Sequence, residues 1–372
     1  MPKVVEIQQA DDPRDVIHQA VQLLAEGQLV AFPTETVYTV AANAVKPEAV
    51  RRLAELAQPA EPAAYTLAIK GAPEALDYVP TMERLGQKLT RRCWPGPVTL
   101  LFDISRSDGL VRALPEETRQ LVCPGAELAL RVPAHDIVLD VLRLLPAPLV
   151  LLGEISQANA LPTTVELLLQ SLAAEPALTI DDGPCRYGQP TSVIHVHENQ
   201  WSLAREGVVT ERTLGRLASE VYVFVCTGNT CRSPMAEGLF RKLLAEKLGC
   251  SEDMLVDRGY VVASAGLSAA LGGPPAAEAV QILSQKQIDL RNHESQPLTP
   301  RLLQQADYIY TMTRGHRDTI LWEYPDLADR VRLLSQDEMD IPDPIGSGLD
   351  EYARCAEVIE KNVRILLDNM EV

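Results

Sequence analysis

The sequence predicts two α/β domains in one chain, the first built on a mixed, partly antiparallel twisted sheet and the second on a doubly wound parallel sheet. Three observations predict this. The chain has 372 residues, too many for one ordinary domain. Short apolar runs alternate with helical periodicity along its length. A fresh unit opens at Val221-Tyr222-Val223-Phe224-Val225, an uninterrupted apolar run suited to a strand buried on both faces of a parallel sheet.

In chain order, residues 16–26 read as a helix, with Val16, Ala20, Leu23 and Leu24 at helical spacing and Gly27 as the stop. Residues 29–32 follow as a buried strand, then a helix over 47–56 and a strand over 67–69. Residues 57–64 between them form an Ala/Pro-rich patch. Further strands are predicted at 98–102, 129–132, 149–152 and 192–196. Residues 208–220 read as a short helical connector with the boundary near 216, which gives domains at 1–212 and 220–372 and a linker at 213–219. Beyond the second domain's first strand come a polar loop, a helix over about 234–248, and strand–helix alternation. An amphipathic helix over about 349–367 closes the chain.

Composition excludes several classes. Hydrophobic residues make up 46% and charged residues 23%, as in a soluble globular chain. The net charge is −17, with 18 basic and 27 acidic residues in 1–215 and 16 and 24 in 216–372. Neither half offers the basic face that a nucleic-acid backbone requires. Met1 to Glu6 carries charges where a secretion signal needs an apolar core. Residues 144–152 are apolar but short and broken by Pro146 and Pro148, so no membrane span is expected. Seven cysteines without disulfide-framework spacing point to a reducing cytoplasm, and no Cys-x-x-Cys pair suggests structural zinc. His195 and His197 share one strand face, but no third ligand lies near in sequence, so they read as a solvated pair.

The chemistry concentrates at Cys226-Thr227-Gly228-Asn229-Thr230-Cys231-Arg232-Ser233-Pro234. Between a buried strand and a helix, such a turn aims successive backbone N–H groups into one cavity, where the helix N-terminus adds positive potential. That nest suits a phosphate dianion, and its field favours a cysteine thiolate at Cys226. Arg232 can grip two phosphate oxygens. Gly228 is expected to permit the tight turn, Ser233 to donate to the sulfur, and Pro234 to fit the first helical turn. Cys231 reads equally well as a partner for a reversible disulfide with Cys226 under oxidation and as a packed small apolar residue. The remaining cysteines, at 93, 123, 185, 250 and 355, read as core or surface thiols.

With Met235-Ala236-Glu237 added, this segment resembles the phosphate-binding loop of low-molecular-weight protein-tyrosine phosphatases. The resemblance runs over roughly 221–370 and includes Ser264-Ala265-Gly266, the 306–313 region and Asp343-Pro344. It implies that Cys226 attacks phosphorus and forms a thiophosphoryl-enzyme, that Arg232 and the loop residues 227–231 with Ser233 hold the phosphate, and that Asp343 protonates the leaving group and then activates water. No metal or cofactor is required. Asp340 is a second carboxylate in the same loop but lacks the following proline. The string looks like the protein-arginine-phosphatase branch, because Thr230 is small and polar where many tyrosine-directed relatives carry a larger apolar residue. Ile345 departs from the aromatic residue usual after Asp-Pro, which weakens stacking on a substrate side chain. Arsenate reductases on this scaffold need further relay cysteines, and none lies between Cys250 and Cys355.

The first half resembles YrdC-type threonylcarbamoyl-AMP synthases over roughly 10–212. The matching strings are Pro33-Thr34-Glu35-Thr36-Val37-Tyr38, residues 94–102, Arg131-Val132-Pro133, Pro162-Thr163-Thr164 and Arg205-Glu206-Gly207. Family members use ATP, threonine and bicarbonate to make an intermediate for tRNA modification. Two departures fall where ATP-binding cations and polar ligands belong: Ala57-Gln58-Pro59 replaces Lys-x-Arg, and Gly153-Glu154-Ile155 replaces Ser-x-Asn. Thr34, Arg131 and Arg205 remain as a reduced ligand site. The reading is a cytoplasmic phosphatase acting on phosphotyrosine or phosphoarginine in proteins, fused to a domain that has lost its main ATP-binding cations. The alternatives are a bifunctional protein that retains synthase activity and a ligand-sensing N-terminal module.

Overall fold

The computed structural model describes residues 3–56, 65–105, 109–153 and 161–370. The chain divides into two compact units, Met1–Leu217 and Ala218–Val372.

The first unit contains strands β1 (Lys3–Glu6), β2 (Val30–Phe32), β3 (Thr39–Asn43), β4 (Thr66–Ala68), β5 (Val98–Asp103), β6 (Glu127–Arg131), β7 (Leu149–Leu151), β8 (Leu178–Asp181), β9 (Ser192–His197) and β10 (Gln200–Arg205). They form one sheet in the order β1-β8-β2-β3-β7-β4-β6-β5-β9-β10. Pairing is mixed: β2 runs antiparallel to β3 and parallel to β8, and β4 runs parallel to β6 and antiparallel to β7. Asp12 starts the helix Pro13–Ala25 by accepting from the Arg14 N–H, with Pro13 in the first turn. Val16, Ile17, Ala20 and Leu24 then pack with Ile137, Val138, Val141 and Leu142 of the helix Asp136–Leu144 and with the sheet residues Val30, Phe32, Leu149, Leu151 and Ile180. The helix Pro47–Leu56 has the bounds its periodicity predicts. β9 and β10 join through Glu198 and Asn199, both at positive φ (49° and 57°), as the tight hairpin twist requires. His195 Nδ1 lies 2.6 Å from Glu127 Oε1, and His197 faces Asp103 and Glu198. The connector region is helical over Glu211–Ala218.

The second unit contains β11 (Glu220–Cys226), β12 (Tyr260–Gly266), β13 (Tyr308–Thr311) and β14 (Val331–Leu333), all parallel, in the order β12-β11-β13-β14. Strand alternation separates the two layers. Tyr222, Phe224 and Cys226 face the helices Arg232–Leu248 and Leu349–Asp368, through Met235, Leu239, Phe240, Tyr352, Ile359 and Val363. Val221, Val223 and Val225 face Leu303, Ile309, Ile320 and Leu327 on the other side. The order reverses at β11, so the crevice at the carboxyl ends of β11 and β13 is where this topology places a ligand. Cys226 is the last residue of β11 and stands at that crevice.

Candidate active site

The strand delivers Cys226 and the helix beginning at Arg232 delivers the guanidinium, so residues 227–231 must turn within one short loop. The structure corrects one expectation here. The residue in the left-handed region is Asn229 (φ 56°), and Gly228 is not at positive φ. Asparagine tolerates that conformation better than most side chains, and a network fixes it here. Buried Asn229 donates from Nδ2 to Ser233 Oγ (3.0 Å) and Ser264 Oγ (2.9 Å), while its Oδ1 accepts from the Gln296 N–H (2.9 Å). Its carbonyl meets His293 Nε2 at 2.8 Å. Ser264 in turn donates to Glu237 Oε2 (2.6 Å), and burial pushes the Glu237 carboxyl above its usual range. The glycine that the loop demands is Gly266 on β12. A Cβ there would lie 2.5 Å from Thr227 O and 2.9 Å from Asn229 N.

Cys226 Sγ receives the Asn229 N–H at 3.2 Å and lies 3.0 Å from Ser233 Oγ. Ser233 Oγ accepts from Asn229 Nδ2, and its own proton has two acceptors in reach, the sulfur at 3.0 Å and the more distant Ala265 O at 3.4 Å. The Asn229 N–H and the Ser233 hydroxyl therefore both meet Sγ. Arg232 is 4% exposed; Nη1 donates to Ile341 O (3.2 Å) and Nη2 pairs with Asp343 Oδ2. Its buried Nε has no partner among the described residues. A buried guanidinium N–H without an acceptor is costly, and an anion in the cradle would satisfy it. The Asp343 carboxylate, 40% exposed, also accepts the Ile345 N–H (3.2 Å), and Ile345 itself is 66% exposed. Asp340 points elsewhere, capping the helix Arg314–Glu323 through the Arg314 N–H (2.8 Å).

Thr227 is exposed and meets His316 Nε2 at 2.9 Å through Oγ1, while Gly228 and Thr230 are half-buried. Cys231 is buried, with its sulfur 3.2 Å from the Tyr352 hydroxyl. Neither loop cysteine is joined in a disulfide. Cys93, Cys123, Cys185 and Cys355 are pushed up to about 12 by burial, which keeps them as unreactive thiols. Sequence reasoning missed His316, Ser264's place in the network, Gln296, His293 and Tyr352. All reach the loop from elements far along the chain.

In the first unit the structure brings Arg131 and Arg205 together at Thr191, while Thr34 meets Arg131 only through Thr36, whose Oγ1 accepts from Arg131 Nη2 (3.2 Å). Arg131 donates to Thr191 Oγ1 (2.9 Å), and Arg205 donates to Thr191 O (3.0 and 3.2 Å). Thr34 is 2% exposed; its Oγ1 lies 2.9 Å from Thr36 Oγ1 and bonds Val37 O at 2.6 Å. Sequence reasoning passed over Glu35. Its carboxylate lies 2.7 Å from Arg131 Nη2, with side-chain exposures of 7% and 5% for Arg131 and Glu35, and its other oxygen accepts the Ala134 N–H. Removing Glu35 alone would strand a buried cation. We expect Glu35→Ala to destabilise this unit by about 3–5 kcal/mol, read from its transition in chemical denaturation. Residues 57–59 and 154–155, where the sequence departs from the synthases, lie outside the described residues.

A four-stranded parallel sheet whose first strand ends in a cysteine beneath an anion-receptive loop, with an arginine and a carboxylate across it, defines a cysteine-based phosphate-site domain. Comparison with known proteins agrees: residues 221–372 match the low molecular weight phosphotyrosine protein phosphatase family, and residues 22–207 match the Sua5/YciO/YrdC family, described as telomere recombination. The chain belongs to both, carrying a YrdC/Sua5 domain followed by a low-molecular-weight phosphatase domain. It is 37% identical over 153 residues to the protein-arginine-phosphatase of Bacillus subtilis (strain 168), covering 40% of this chain and 95% of the relative. It is 29% identical over 225 residues to the threonylcarbamoyl-AMP synthase of Pyrococcus abyssi (strain GE5 / Orsay), covering 59% of this chain and 63% of that enzyme. The alignment thus spans less than two thirds of the synthase. Among solved structures, a low molecular weight protein tyrosine phosphatase from Bacillus subtilis shares 37% identity over 40% of this chain and 95% of its own, with a TM-score of 0.35. No described helix is long and apolar enough to cross a membrane.

Proposed function

We propose that the second domain hydrolyses phosphoarginine or phosphotyrosine in proteins through a thiophosphoryl-enzyme. The observation that carries this reading is the convergence of the Asn229 N–H and Ser233 Oγ on Cys226 Sγ beside a buried Arg232 whose Nε lacks an acceptor. The thiolate attacks phosphorus in line as the P–O or P–N bond breaks, and Asp343 gives its proton to the departing atom. The carboxylate then takes a proton from water, which attacks phosphorus, breaks the S–P bond and releases phosphate with the thiolate restored. An incoming phosphoryl group competes with Asp343 for Arg232, which frees the carboxyl to turn to the leaving atom. No step calls for a metal or cofactor. Thr230 lines the loop with a polar side chain, so phosphoarginine and phosphotyrosine peptides should both be turned over without a large tyrosine preference. Steady-state rates on the two peptides test this, and a strong tyrosine preference would count against it.

We further propose that the first domain makes no threonylcarbamoyl adenylate. Of its two surviving arginines, Arg131 is closed in the Glu35 pair and Arg205 is held by Thr191 O, and Thr34 is spent in its own turn. A triphosphate would have to break the buried pair to reach Arg131. Calorimetric titration of the whole chain with ATP and threonine should show no micromolar binding; such binding would restore the bifunctional reading.

A further inference from the structure

His316 sits in the first turn of the helix Arg314–Glu323, is 7% exposed, and has both ring nitrogens engaged: Nε2 with Thr227 Oγ1 and Nδ1 with Thr313 Oγ1, each at 2.9 Å. Thr313 Oγ1 also accepts the His316 backbone N–H (3.2 Å) as the helix cap. In the tautomer where the Thr313 hydroxyl donates to Nδ1, the ring proton sits on Nε2 and is donated to Thr227 Oγ1. Burial and the nearby Arg232 guanidinium hold the His316 pKa below its ordinary value, against smaller opposing effects of Asp343 and Asp340, so the neutral ring is the resident form at neutral pH.

Thr227 directly follows the nucleophile, and its side chain is exposed at the mouth of the loop while its hydroxyl is tied to a buried ring. A threonine oxygen has two acceptor sites. With His316 occupying one, the other is left for a substrate on an exposed residue that directly follows the nucleophile. Were the ring tautomer reversed, the Thr227 hydroxyl would donate inward and its oxygen would still accept outward. The two candidate substrates differ in what they can give this acceptor: an arginine side chain carries guanidinium N–H donors next to the phosphoryl nitrogen, whereas an aryl ring carries none.

We propose that His316 is a positioning residue that holds the Thr227 hydroxyl as an acceptor for a guanidinium N–H of phosphoarginine, and that this pair favours arginine over aryl substrates. It rests on the phosphatase reading above and names the side chains that select within it.

The test compares kcat/KM of the full chain on a phosphoarginine peptide with that on para-nitrophenyl phosphate, and reads the ratio. Thr227→Val keeps the shape and removes the hydroxyl; the ratio should fall about tenfold, the scale of one hydrogen bond to a charged group. His316→Ala should lower the ratio similarly, and His316→Gln, whose amide can still donate toward Thr227, should recover much of it. In a Thr227→Val background, His316→Ala should lower the ratio no further, as a shared interaction requires. A ratio unchanged by Thr227→Val overturns the proposal. So does a His316→Ala effect that is equal on both substrates or persists without the Thr227 hydroxyl. If the unaltered protein cleaves the aryl phosphate but not phosphoarginine, the arginine reading itself fails and takes this proposal with it. Failure of the proposal alone would appear as intact phosphoarginine turnover with unaltered ratios in the variants.

Discussion

Replacing Cys226 with serine is expected to lower phosphatase turnover by at least roughly four orders of magnitude while leaving the fold in place. Serine is nearly isosteric and can accept from the Asn229 N–H and Ser233 Oγ that now meet the sulfur. The loop should therefore keep its shape and still hold phosphate. What is lost is the nucleophile, because a hydroxyl with no general base beside it remains protonated near neutral pH. Phosphate release measured on peptide substrates, alongside a denaturation curve that matches the parent, separates loss of chemistry from loss of structure. Full turnover in this variant would dismiss the thiophosphoryl mechanism.

Asp343→Asn should cost about 10²–10⁴-fold in kcat on phosphoarginine or phosphotyrosine, the range for loss of a positioned acid–base group. The deficit should narrow on para-nitrophenyl phosphate, whose leaving group needs no proton, if formation of the phosphoenzyme is the slow step. Asparagine preserves the contour of the loop but cannot pair with Arg232 as a charge or transfer a proton. Asp340→Asn is the control. Its carboxylate serves the Arg314 N–H and the start of that helix, so its loss should register more in stability than in leaving-group dependence. Equal losses on good and poor leaving groups for Asp343→Asn would move the acid role elsewhere.

The elements that were legible are those whose own pattern is strong. The helix Pro47–Leu56 carries buried Ala49, Val50, Leu53 and Leu56 at helical spacing, and β11 is apolar throughout. Strands passed over include β1, which is short and mostly exposed at the sheet edge, and β3, whose Thr39–Asn43 stretch is buried throughout but lacks an alternating pattern. β10 is an exposed partner of β9 and carries little apolar signal. In each case pairing with a neighbour, rather than local sequence, makes the strand.

At the site, the chain alone specified the chemistry of the loop: a cysteine, an arginine, a serine and the intervening residues lie within one turn, and local spacing suffices to bring them together. Asp343 is reached only through the family resemblance that Asp343-Pro344 helps to carry. Folding decided which groups tune and restrict those residues. Asn229, not Gly228, takes the left-handed position because Ser264, Gln296 and His293, from other elements, hold it. The Thr227 hydroxyl is tied to His316, 89 residues away. In the first domain, Arg131 survives in the sequence as a cation, yet in the fold it is neutralised by Glu35, 96 residues distant in the chain. Short-range geometry is written in neighbouring residues. The partner of a buried charge or hydroxyl is set by which distant elements the sheet brings alongside it, and a one-dimensional pattern holds no record of that pairing.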